Sequence, residues 1–147
     1  MLIPLWLVWV VYGLAVASVV LLAWHLARVL PSAPSRIPLH LGIDGRPGSY
    51  GPKGVLWLAP AIIVPVLAVL GLTLAAAPPG EYDRAPVLLA MVIVVEIASL
   101  LAWAADRLIE VGRKMTHRIA PTRILVTMLP LLATVALNIL ISVSRGA

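Results

Sequence analysis

The chain has 147 residues, 62% of them hydrophobic and 12% charged, with a mean hydropathy of +1.07 and a net charge of +5. Soluble domains carry roughly 25% charged residues, so a single water-facing core cannot absorb this much apolar surface. Cysteine is absent, which excludes disulfides, thiolate metal sites and cysteine nucleophiles.

Met1 to Ala27 contains no Asp, Glu, Lys or Arg. It is longer than a signal-peptide core and lacks a basic region ahead of the apolar run, so it predicts a first transmembrane helix over about residues 2–28. Trp6, Trp9 and Trp24 stand near its ends, as interfacial aromatic anchors do. Gly13 and Ala17 form a small-xxx-small pair that would let a second helix approach closely. Pro31 and Pro34 stop this helix.

The polar, turn-rich stretch Ile37 to Lys53 follows, reading IPLHLGIDGRPGSYGPK. Ile37, Leu39, Leu41 and Ile43 alternate with polar or small residues, a short period-two pattern. Asp44-Gly45 signals a tight turn, and Pro47-Gly48 suits the centre of a type II turn. The segment is expected to be ordered by its own turns, as a small hairpin or folded against the helix ends.

The second span is predicted over residues 55–77, with Trp57 at its start and Pro60 and Pro65 in its first half. Transmembrane helices tolerate such prolines when neighbours satisfy the freed carbonyls, and a kink is expected. Pro78, Pro79 and Gly80 end it. The third helix is predicted over residues 86–115, continuing past the bilayer as a solvated stalk through Asp106, Arg107, Glu110, Arg113 and Lys114. The fourth is predicted over residues 123–143. The fold class is therefore all-α: one transmembrane domain, residues 1–147, forming a four-helix antiparallel bundle with an ordered loop between helices 1 and 2.

Basic residues divide unevenly. Loops one and three with their flanks hold nine, namely Arg28, Arg36, Arg46, Lys53, Arg107, Arg113, Lys114, Arg118 and Arg123, against two, Arg84 and Arg145, elsewhere. Loops one and three are expected to be cytoplasmic and both termini outside. The positive charge acts on topology and anionic headgroups and gives no sign of nucleic-acid binding.

The order Ile37-Pro38, His40, Gly45, Pro47, Tyr50-Gly51 and Lys53, directly after a first membrane helix, resembles a bacterial membrane domain of unknown function that also opens SdpI-type immunity proteins. Gly42, Gly48 and Pro52 depart from the Asn, Asp and Ser common there. The resemblance implies a multi-pass protein of the bacterial plasma membrane, acting in peptide-toxin tolerance or envelope-stress signalling through a protein or peptide partner. SdpI-type proteins are longer, with additional spans.

The candidate contact loop comprises His40, Asp44, Gly45, Arg46, Pro47, Tyr50 and Lys53. His40 is read either as a ligand, pH sensor or metal ligand, or as a ring donating to a backbone carbonyl; His117 lies on the same predicted side. Lys53 is read either as a grip on an anionic headgroup or as an ordinary interfacial anchor. The glycines match turn geometry and no nucleotide fingerprint.

Glu96 lies about 14 Å inside the third span at 1.5 Å per residue. A carboxylate at that depth must be paired, neutral or hydrated. Glu96, Ser99, Trp103, Asp106 and Glu110 share one helical face, expected to point into the bundle. Depth counting sets Thr134, Asn138 and Tyr12 near Glu96, which is expected to be neutral and hydrogen-bonded to one of them. The readings are an interhelical clasp, a proton or substrate relay in an oligomeric transporter or channel component, or a contact in a homo-oligomer. No catalytic constellation, cofactor or metal site can be assembled from these residues, so no enzyme is expected.

Overall fold

The computed structural model describes residues 4–41, 47–76, 84–114, 126 and 128–136. Helix α1 runs Leu5–Val29, strand β1 Arg36–Leu41 and strand β2 Pro47–Pro52; a 3-10 turn, Lys53–Trp57, leads into helix α2, Leu58–Ala76, and helix α3 spans Ala85–Lys114. Residues 128–136 are also helical, inside the predicted fourth span; the rest of that span lies outside the described residues, apart from Val126. Among the described residues, three helices are long and apolar enough to cross a membrane.

The helices form because nothing in them competes with the backbone ladder. They are continuous aliphatic runs, and the prolines of α1 and α2 other than Pro65 sit at tolerated places. Pro4 is the N-cap of α1. Pro60 occupies the first turn of α2, where a missing N–H removes no helical bond. Pro65 lies inside α2. The predicted start of the second span at Val55 falls instead in the 3-10 turn, and α2 begins at Leu58.

Which faces meet is decided by packing. The buried residues of α1 are Val8, Ala15, Val19, Leu22 and Leu26, spaced 7, 4, 3 and 4. Those of α3 include Val87, Met91, Val94, Ala98, Ala105 and Ile109, spaced 4, 3, 4, 7 and 4. Both are heptad seams, the pattern that keeps a stripe facing its partner along a helix pair. The two helices run in the same direction, since His25 meets Asp106 and Ser32 meets Arg113, each pair 81 residues apart. Helix α2 runs back between them in sequence and adds Ile63, Leu67 and Leu74 to the core.

Four expectations are corrected here. Gly13 and Ala17 face outward, and a Cβ on Gly13 would meet nothing within 4 Å; the close approach occurs at Gly71 of α2, against Tyr12. The face of α3 in the apolar core is the Val87-to-Ile109 seam; of the face expected to point inward, Glu96 meets Thr134 while Ser99 and Asp106 are exposed. The far end of α3 is no solvated stalk, because Ala105, Ile109 and Val111 are buried and β1 packs along it. Pro47 and Gly48 do not form a separate turn; they open β2.

Strands β1 and β2 make an antiparallel hairpin, pairing Arg36 with Pro52, Ile37 with Gly51, Pro38 with Tyr50 and His40 with Ser49. A register shift between Pro38 and His40 leaves Leu39 as the extra residue. The bulge breaks the expected alternation: Ile37 and Pro38 are both buried while Leu39 is 45% exposed. A two-stranded hairpin is marginal alone, and this one is held from outside. Gly112 of α3 packs beside it, where even a Cβ would stand at ordinary contact distance, 3.6 Å, from the Arg36 carbonyl oxygen, Pro34 and Pro38.

Large side chains cover the outside of the helices. Trp6, Leu14, Val20, Leu21, Ile62, Val69 and Leu72 are each at least 59% exposed. Apolar surface this extensive marks a membrane-facing exterior.

Candidate functional site

The site begins where α1 ends. The last carbonyls of a helix lack backbone partners and carry about half a negative charge. Here side chains from three places supply donors. Leu30 N–H closes the helix on Leu26 O at 3.0 Å, and Ser32 Oγ donates to Val29 O at 3.1 Å. The Lys53 ammonium donates to Leu30 O at 2.6 Å, Ala33 O at 3.1 Å and Pro31 O at 3.4 Å. Arg113 Nη2 donates to Ser32 O at 3.1 Å and Ser32 Oγ at 2.8 Å. Lys53 N–H also donates to Ser35 O at 3.2 Å. Lys53 thus ties the end of the hairpin to the end of α1.

The rest of the contact loop divides. Tyr50 lies in β2 opposite Pro38 and is 41% exposed, while the exposed Leu39 side chain lies over Gly51. Pro47 pairs with Leu41. His40 takes its place in β1 opposite Ser49, with its side chain outside what the structure describes. Asp44, Gly45, Arg46 and His117 lie outside the described residues.

One turn deeper, His25 Nε2 donates to Asp106 Oδ1 at 2.8 Å, joining α1 to α3. Sequence reasoning missed His25, Arg28, Ser32 and Arg113 as a group. The signal was there: His25 and Arg28 end the first span as Asp106 and Arg113 end the third. Two spans sharing a direction bring such ends level.

The intramembrane residues also separate. Thr134 Oγ1 donates to Glu96 Oε1 at 2.7 Å and stands 3.1 Å from Pro130 O. The other carboxyl oxygen, Glu96 Oε2, is buried with no partner among the described residues. Ser99 bonds its own helix, donating to Val95 O at 2.9 Å, and so takes no part in this clasp. Tyr12 turns instead to α2 and donates to Leu67 O at 3.2 Å. Asn138 lies outside the described residues. Thr134→Val should lower stability by about 0.6 kcal/mol, and by at most about 1.7, read by denaturant titration in detergent. Glu96→Gln should leave it unchanged, because the amide can donate to the threonine hydroxyl.

Three helices of membrane length, closed at one end by a hairpin and a cationic helix cap, define a small helical membrane-type domain. A family model described as Domain of unknown function (DUF1648) matches residues 13–64. The matched stretch takes in most of α1, the hairpin, the 3-10 turn and the first turns of α2, which contain Lys53 and the carbonyls it caps. No curated protein and no solved structure matches the chain.

Proposed function

We propose that this chain is a non-catalytic, multi-pass protein of the bacterial plasma membrane, and that its hairpin is a rigid contact surface for a protein or peptide partner. The role that fits is the SdpI-like one, in peptide-toxin tolerance or envelope-stress signalling, with loops one and three cytoplasmic and both termini outside. The observation that carries it is the hairpin's mounting. Its inner residues Ile37 and Pro38 are buried, its end is pinned by Lys53, and Leu39 and Tyr50 remain exposed. A surface ordered before binding loses less entropy on contact, and an exposed tyrosine is a usual anchor of a contact.

A deletion strain challenged with membrane-active peptides tests this reading, complemented by the wild type, His40→Ala or the double variant Leu39→Ser/Tyr50→Ser. The double variant should fold and insert normally yet lose most of the protection. The chain has no cysteine, so Tyr50→Cys gives a single thiol, which an impermeant reagent should label only from the cytoplasmic side. Full protection by the double variant, or labelling from outside, would overturn the proposal.

A second reading rests on Glu96 Oε2, which is buried with no partner among the described residues. In it the chain is a subunit of an oligomeric transporter or channel, with Glu96 as a proton or substrate relay. Proton-dependent flux in liposomes that Glu96→Gln abolishes, with folding intact, would favour it over the clasp.

A further inference from the structure

A cavity of about 550 Å³ opens beside the capped end of α1, with Arg28, Ser32, Asp106, Glu110 and Arg113 in its wall. That is within the size range of small-molecule sites. Its wall holds two guanidiniums and two carboxylates. Asp106 accepts from His25, and Glu110 accepts from Arg107 Nη1 at 2.7 Å; each carboxylate thus has a donor that is not itself in the wall. The two guanidiniums are not served in this way. Arg113 donates to the neutral oxygens of Ser32. Arg28 lies 3.9 Å over the Trp24 ring and makes no hydrogen bond or ion pair with a described residue. The α1 C-terminus supplies about half a negative charge, and Lys53 already sits on it. With Arg107 and Lys53 beside it, this end of the fold carries four cationic side chains against two carboxylates.

We propose that this cavity binds a phosphate group, offered either by an anionic lipid headgroup or by a free phosphate ester. Guanidinium matches phosphate oxygens with paired N–H donors, and two guanidiniums from different helices can grip one phosphate from two sides. The level suits a headgroup. Arg28 lies one residue before the end of α1, where the apolar span gives way to the hairpin, and Trp24 is an aromatic of the interfacial kind. The function that the sequence offered to Lys53 is thereby carried by Arg28 and Arg113, because Lys53 spends its donors on carbonyls.

The test titrates phosphatidylglycerol into the full chain held in a maltoside detergent, which contains no phosphate, and in a second arm titrates glycerol 3-phosphate. Saturable binding is expected in the lipid arm. Saturation in the second arm as well shows that the phosphate ester suffices, and saturation in the lipid arm alone makes the lipid the source. Arg28→Gln and Arg113→Gln should each weaken binding about tenfold, and the pair should abolish saturation. Among the described residues Arg28 holds no other element by a hydrogen bond, so its single variant decides the matter even if the Arg113 variants unfold. No saturable binding in either arm, or wild-type affinity in folded Arg28→Gln, would overturn the proposal.

Discussion

Exchanging Lys53 for Met is expected to destabilise the chain by about 2–4 kcal/mol, read by denaturant titration in detergent, and to expose the hairpin to protease. Met keeps much of the aliphatic stem and removes only the ammonium. Three carbonyls then lose a donor, those of Leu30, Pro31 and Ala33. A hydrogen bond to a charged group contributes about 1.5–3 kcal/mol. The three do not sum, because Leu30 O keeps its bond from Ala33 N–H at 3.1 Å and water reaches part of this end. The second effect is mechanical. Lys53 begins the 3-10 turn into α2, so its tether fixes the helix that follows as well as the hairpin. Lys53→Arg should recover only part of the loss, since a planar fork cannot aim at three carbonyls as a tetrahedral ammonium does. A loss below about 0.5 kcal/mol, the scale of an ordinary surface substitution, would mean that the cap contributes nothing.

The membrane helices could be read from the sequence because only composition was needed. Runs such as residues 5–27 have no charge to interrupt them. The hairpin could be read too, since its turn residues punctuate a polar stretch. Counting depth narrowed the partner of Glu96 to Thr134, Asn138 or Tyr12, because isolated polar groups are conspicuous in apolar spans, but could not choose among them. The packed faces could not be read. When every face of a helix is aliphatic, periodicity carries no signal, so Gly13 with Ala17 is expected to allow the close approach that the structure makes at Gly71. The role of Lys53 was hidden for another reason. Its partners are carbonyls, which every residue has, so no side-chain motif announces them. The bulge at Leu39 was equally silent, since one extra residue reverses which side of the strand faces α3.

Gly71→Ala should cost about 1–3 kcal/mol by overpacking, a large effect for one methyl group. A Cβ at Gly71 would lie 2.5 Å from Tyr12 Oη, 2.9 Å from Cζ and 3.3 Å from Cε2. The obstacle is a ring, and the ring is held: its hydroxyl donates to Leu67 O, and Trp9 meets it edge-on with centroids 5.7 Å apart. Leu67 O is also the i−4 acceptor for the Gly71 N–H, so the glycine and the phenol share one carbonyl with two lone pairs. Tyr12 can sit there only because residue 71 has no side chain. The two positions should therefore be strongly coupled in a double-mutant cycle. Tyr12→Phe alone should cost about 0.6 kcal/mol, the average for a hydrogen bond between membrane helices, and should relieve the Gly71→Ala penalty only partly, since Cζ remains. Tyr12→Ala carries its own cavity cost, but adding Gly71→Ala to it should cost almost nothing. Additive losses in that pair would place the close approach of α1 and α2 elsewhere.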